Sequence, residues 1–239
     1  MKWSIKKAKR FLLKVILYCF VGSIVWVLLY AVLPVPLTPL MVIRCAEQIS
    51  KGEKPGIYKD WVSYNNISPN LPIAAVAAED QRFTEHFGFD IESMKKAYKS
   101  NKRGKKIRGG STISQQVAKN AFLWPSRTYL RKGMEAYFTV LIDLFWTKKR
   151  IMTVYLNIIE MGNGVYGCEA ASQYYFKKDA KDLSREQAAG IAAILPCPLK
   201  YSPMDGGYVG RRRSWILRQM RNLGGELNYN EPITTDDKK

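Results

Sequence analysis

Gly109-Gly110-Ser111-Thr112-Ile113-Ser114-Gln115-Gln116-Val117-Ala118-Lys119-Asn120 is the stretch on which the reading of this chain turns. Two glycines free the backbone and Ser111 or Thr112 is suited to cap a helix start. A helix N-terminus with outward amides is an anion site. Lys119 lies two turns in, and a Lys/Arg-rich run precedes the glycines. Thr112, Gln116 and Lys119 align on that helix, as do Gln115 and Lys119 at i,i+4. Cap amides, hydroxyls, carboxamides and one ammonium together make a receptor for phosphate, with Arg127 and Arg131 following close to Pro125.

The N-terminus places that receptor. Residues 1–14 carry Lys2, Lys6, Lys7, Lys9, Arg10 and Lys14 and no acid, and residues 15–33 run 19 positions without a charge. That is about the length a helix needs to cross a bilayer. A cleaved signal peptide has a shorter apolar region, about 7–15 residues, ending in a small-residue site. Val32-Leu33-Pro34 offers no such site. The reading is therefore a cytoplasmic basic tail over 1–14, a transmembrane anchor over 15–33, and a segment over 34–66 bringing the chain off the membrane. The positive-inside rule puts the basic tail in the cytoplasm and residues 34–239, including a domain over 67–227, on the far side. Residues 228–239 are polar and read as a flexible tail.

The formal charge is +18, of which the tail supplies +6, leaving +12 beyond the anchor. Nucleic acid is the default partner for that balance, but behind such an anchor it is not expected. Anionic headgroups or a phosphate-bearing substrate fit instead. Cys19 lies in the anchor, leaving Cys45, Cys168 and Cys197, which allow one disulfide and no framework. His86 is the single histidine, and there is no C-x-x-C, H-E-x-x-H or G-x-S-x-G. A zinc site is therefore not expected; one histidine still permits a Ser-His-Asp triad, but its signature does not accompany it.

Beyond residue 66 the apolar spacing is helical. It predicts helices over 72–86, 91–100, 112–122, 128–146, 148–160, 166–175, 184–194 and 208–223, broken by Pro125, Gly162-Asn163-Gly164 and Pro196-Cys197-Pro198. The fold class is mainly α, with at most a short hairpin.

Within the first helix, Glu79, Phe83 and His86 share a face at 100° per residue. A carboxylate beside Phe83 and an alanine run is open to desolvation, which raises its pKa toward that of a usable base. A pairing of Glu79 with Arg82 or a distant cation is the structural alternative. Asp80 points a quarter-turn away, suited to fixing a turn or cap, and His86 reads as a hydrogen-bonded structural residue. Residues 95–108 hold eight cations in fourteen positions, a basic flap for headgroups or phosphates. Arg131 and Glu135 are placed for an i,i+4 pair. Asn157, Gly162, Gly164 and Gly167 read as close packing around a glycine turn.

In this order the blocks resemble the peptidoglycan glycosyltransferase family, lysozyme-like polymerases that build the cell-wall glycan from lipid II. The resemblance is carried by Glu79-Asp80 through Phe83, His86, Gly88 and Asp90, and by Gly110-Ser111-Thr112 through Gln115-Gln116 and Lys119-Asn120. Arg131-Lys132 with Glu135 follow, then Tyr155-Leu156-Asn157 through Gly162, Gly167 and Ala170-Ala171 to Tyr175-Phe176, and a looser block over 183–203. With S-x-x-K and S-x-N matches at Ser93 and Ser63 but no K-T-G, the chain looks like the monofunctional biosynthetic transglycosylases rather than the bifunctional penicillin-binding proteins.

The resemblance implies a lysozyme-like fold with Glu79 as general base. Lys119, Arg127 and Arg131 would stabilise a lipid diphosphate leaving group, and Ser111, Thr112, Gln115 and Gln116 would orient its phosphates. Glu135 would hold the cations or a metal in place. A divalent cation, Mg or Mn, enters by resemblance alone. Implied partners are lipid II, the lipid-linked growing glycan, the membrane, and cell-wall synthesis or division proteins; the implied location is the bacterial inner membrane, single-pass, with the catalytic domain periplasmic. Arg150 stands where some relatives carry an acid, and Gln187 where a glutamate is usual. The alternatives are a lysozyme-like enzyme that cleaves peptidoglycan and a non-catalytic basic membrane scaffold.

Overall fold

The computed structural model describes residues 5–102, 110–224 and 227–229. Much of the expected basic flap and most of the expected tail, like the first four residues, lie outside the described residues. The described helices are α1 (Ile5–Val32), α2 (Pro39–Ser50), α3 (Asn70–Glu79), α4 (Ile91–Lys102), α5 (Ile113–Phe122), α6 (Tyr129–Phe145), α7 (Lys148–Ile158), α8 (Cys168–Phe176), α9 (Arg185–Ile194) and α10 (Gly207–Asn222). Three short strands, β1 (Tyr58–Lys59), β2 (Glu160–Gly162) and β3 (Val165–Tyr166), form one sheet in the order β1-β3-β2. The architecture is mainly α, as expected. The expected hairpin is β2–β3, and β1 joins it in parallel. A two-residue strand carries no periodicity to read, so β1 left no trace in the sequence.

α1 is the one described helix long and apolar enough to cross a membrane. It begins well before residue 15 because the Lys/Arg stretch is itself a good helix former. Its C-terminal half is docked on the domain. Val27 is fully buried, and its carbonyl accepts a 2.9 Å bond from Trp146 Nε1. Trp26 meets the Phe122 ring edge-on at 5.2 Å, and Ser23 Oγ lies 2.7 Å from Tyr137 Oη. Arg150 donates to Tyr30 O at 2.8 and 3.1 Å and also to Leu33 O. A cation on the last carbonyls of a helix sits at the negative end of its dipole. The basic residue where some relatives carry an acid thus fastens the anchor.

The segment after the anchor contains α2, which the sequence reading did not predict. Thr38 caps it by accepting from Met41 N (3.3 Å), and Pro39 occupies its first turn, where the missing N–H costs nothing. At the other end, Tyr229 Oη lies 2.8 Å from Tyr64 Oη with the rings edge-on, so the packed chain extends past 227.

The core is built around α3, apolar on every side: Leu71, Ile73, Ala74, Ala75, Val76 and Ala77 are all buried. It packs on α9 and α10, while α5 packs on α6 and α7. The alanines of α3 and α9 let the two helices approach closely, which fixes where the end of α3, Glu79, emerges. Gly167 opens α8 at φ +83°, and a Cβ there would lie 2.6 Å from Asn157 O, so the glycine turn is obligatory. Gln187 completes a capping box with Ser184. Gln and Glu serve equally at that position, so the difference from the family pattern is structurally neutral. All four cysteines are unpaired.

Candidate active site

α3 ends at Glu79, not at residue 86. Asp80 leaves the helix (φ −158°, ψ 78°), and its carboxylate holds two separate groups. Oδ2 accepts a 3.0 Å bond from the Ile113 amide, and His86 Nε2 lies 2.9 Å from Oδ1. The expected shared face of Glu79, Phe83 and His86 is therefore corrected: Phe83 is buried in the core, and His86 braces Asp80. Asp80→Ala would leave the buried Ile113 N–H without its acceptor. A loss of about 1–3 kcal/mol is expected, read as a lower midpoint in thermal or denaturant unfolding, with Asp80→Asn milder because it keeps an acceptor.

The N-terminus of α5 also differs from expectation. Thr112, not Ser111, is the cap. Its Oγ1 accepts from Gln115 N (3.2 Å) and donates to Gly88 O (2.6 Å), while Gln115 Oε1 accepts from Thr112 N (3.0 Å). Thr112 and Gln115 are buried and satisfy each other in this reciprocal box, and Thr112 also borders the cleft beside Glu79. The anion at this helix start is the protein's own Asp80. A carboxylate at a helix N-terminus is favoured by the helix dipole.

Gln116 is likewise reassigned. Its Nε2 donates to Glu79 Oε2 at 3.0 Å, and its Oε1 lies 3.4 Å from the Tyr155 hydroxyl. The other carboxylate oxygen of Glu79 accepts from Arg212 Nη2 on α10 at 3.1 Å. Arg82 is occupied elsewhere, with Glu85, Glu92 and Asp90. Burial pushes the Glu79 carboxyl above its ordinary pKa; the Gln116 bond and the Arg212 charge pull it back, and Asp80 adds to the rise.

Three residues beyond Gln116 on α5, Lys119 reaches a second group. There the buried Glu135 of α6 pairs with both Arg131 and Lys132. Arg131 is further fixed on Ser126 O, and Lys132 Nζ lies 3.5 Å from Ser111 Oγ. Burial lowers the pKa of Lys119; Glu135 and Glu160 oppose that, while Arg131 and Lys132 add to it. α5 thus bridges a carboxylate centre and a cation centre. Arg127 stays exposed on the loop before α6. Lys132 and Arg212 are the additions to the predicted set. Lys132 had a local signal, its i,i+3 spacing to Glu135; Arg212, 133 residues from Glu79, had none.

A cleft of about 360 Å³ runs beside Glu79 and is lined also by Asp80, Asp90, Ser93, Ser111 and Trp215. A resident divalent cation does not fit these donors. Both oxygens of Glu135 face cations, both of Glu79 accept hydrogen bonds, and the described residues contain no cluster of three metal-ligating side chains.

A carboxylate in the cleft and a cation cluster that adjoins its lining through Lys132 and Ser111 suit displacement of an anionic leaving group. Comparison with known proteins agrees with that chemistry. Residues 47–221 match the family described as Transglycosylase. Proteins named biosynthetic peptidoglycan transglycosylase are similar along nearly the whole chain. That of Bacteroides thetaiotaomicron is 50% identical over 217 residues, covering 90% of this chain and 88% of its own. That of Bdellovibrio bacteriovorus is 52% identical over 213 residues, 89% and 85%. That of Caulobacter vibrioides is 53% identical over 209 residues, 87% and 89%. With Glu79, the cleft and the cation cluster all falling inside the matched region, and relatives about 50% identical along nearly the whole chain, the chain belongs to the transglycosylase family.

Proposed function

We propose that the protein polymerises peptidoglycan glycan chains from lipid II, with Glu79 as general base and Lys119, Arg131 and Lys132 as the leaving-group site. Glu79 takes the proton of the acceptor sugar's 4-hydroxyl as that oxygen bonds to the anomeric carbon of the growing chain. The anomeric C–O bond breaks on the opposite side with inversion, and its electron pair leaves on the lipid diphosphate. Negative charge then develops where Lys119, Arg131 and Lys132 are held, which is where preorganised cations act most strongly. Glu135 keeps the cluster assembled, and Ser111, beside Lys132, lines the path between the two centres. Thr112, Gln115 and Gln116 support this site from inside the fold.

The observation that carries the reading is the partly desolvated Lys119 ammonium next to the Glu135 cluster, without an ion pair among the described residues. A desolvated cation is costly without a counter-charge, and a diphosphate supplies one. A hydrolase of finished glycan has no phosphate to place there. The basic tail and apolar α1 support a single-pass anchor with the N-terminus in the cytoplasm and the catalytic domain outside the inner membrane. The test is incubation of the purified full-length protein with lipid II: long glycan strands are expected, whereas release of muropeptides from intact sacculi without polymer would overturn the reading.

A further inference from the structure

Arg212 is the cation that approaches Glu79, and it comes from the last helix of the fold. Its Nη2 lies 3.1 Å from Glu79 Oε1 and 3.4 Å from Ala78 O, and its Nε is buried without a partner. A purely structural pair would serve to dock α10. That docking is already provided by apolar packing, since Val209, Ile216 and Met220 are all fully buried. Three residues along α10, Trp215 lines the same cleft as Glu79. The part of α10 that carries Arg212 therefore borders the cleft.

We propose that Arg212 is a positioning residue for the general base: with Gln116 it fixes the plane of the Glu79 carboxylate and keeps it ionised until it takes the acceptor proton. The proposal rests on the polymerase reading above. A carboxylate offers about four lone-pair sites, and Gln116 and Arg212 take one on each oxygen. The remainder stay available to an incoming hydroxyl, in a carboxylate that can no longer rotate. The groups around Glu79 are Asp80, itself paired with His86, Gln116 from α5, the fully buried Tyr155 from α7, and Arg212 from α10. Among them Arg212 supplies the fixed positive charge. An adjacent cation favours the ionised carboxyl, so its removal raises the Glu79 pKa, and activity then falls away at a higher pH as the medium is acidified.

The test uses the full-length enzyme, lipid II and pH profiles of kcat for Arg212→Ala, Arg212→Lys and the exposed Arg211→Ala. Arg212→Ala is expected to lower kcat about 10- to 100-fold with KM changed little, and to move the acid limb up by about one pH unit. Arg212→Lys should return the limb close to wild type while recovering only part of kcat, because charge is restored but the planar fork is not. Arg211→Ala should match wild type. An Arg212→Ala enzyme with an unmoved acid limb overturns the positioning role, since a merely structural contact lowers kcat without changing the profile. If Arg212→Ala does not fold, Arg212→Gln, which keeps a hydrogen-bond donor and loses the charge, decides: an acid limb moved up supports the role, and an unmoved limb overturns it. A wild-type protein that makes no polymer overturns the reaction itself and this role with it, a result distinct from a working polymerase indifferent to Arg212.

Discussion

Glu79→Gln yields a folded protein that still binds lipid II and polymerises it about 10²–10⁴-fold more slowly, the range expected when a general base is removed. The substitution is close to isosteric and keeps an oxygen acceptor for Gln116 or Arg212, so the cleft stays formed. What disappears is the capacity to take a proton. Stability should hold or rise, because the burial that lifts the Glu79 pKa is a cost to the charged form that the amide does not carry. Measuring lipid II binding, polymer formation and the unfolding midpoint on one preparation separates the outcomes. A catalytic carboxylate predicts loss of polymer alone. A non-catalytic scaffold predicts cell-wall function unchanged in the cell, which would sink the enzyme reading. Wild-type activity should also fall as pH is lowered through a value above the usual carboxyl pKa of about 4.3, since burial has moved Glu79 upward.

Lys119→Ala is expected to lower polymerisation about 10²–10³-fold, the effect of losing one preorganised group at a site of developing charge. Donor binding should weaken along with turnover, because the diphosphate is charged in the ground state and more so as it leaves. The fold should tolerate the change. Among the described residues Lys119 makes no ion pair, and burial works against its charge. Arg127→Ala provides the contrast: that side chain is exposed and apart from the Glu135 cluster, so a small effect is expected. Equal losses from the two variants would mean that the leaving group lies over the loop rather than at Lys119, and the site would have to be redrawn.

The legible parts of this fold share one property. Helical spacing, the proline and glycine breaks and the Arg131–Glu135 interval are relations within a few turns of one segment, and α4 to α10 stand near their expected bounds. α3 does not, because what ends it is Asp80 reaching Ile113 across the fold, a bond that no local pattern records. α2 was hidden because Pro39, which sits in its first turn, follows closely on Pro34 and Pro36 at the end of the anchor and reads with them as a break.

The site divides in the same way. Glu79, Lys119, Arg131 and Glu135 could be singled out because their residue types suit the chemistry and their spacing is local. Thr112, Gln115 and Gln116 could be singled out too, but whether a hydroxyl or carboxamide faces a ligand or the protein depends on what is packed against it. Asp80, brought to the start of α5 by the turn after α3, took the place expected for phosphate.

By itself, the sequence determined that this is a mainly helical protein with an apolar N-terminal helix and a cation-rich stretch around a glycine-led helix start. Those follow from composition and short-range periodicity. Tertiary structure alone decided which groups touch the Glu79 carboxylate. Arg212, 133 residues away, and Gln116 meet at Glu79 because α10 and α5 pack around the end of α3. A hydrogen bond requires approach to about 3 Å, and across such separations only the packed fold brings two atoms that close.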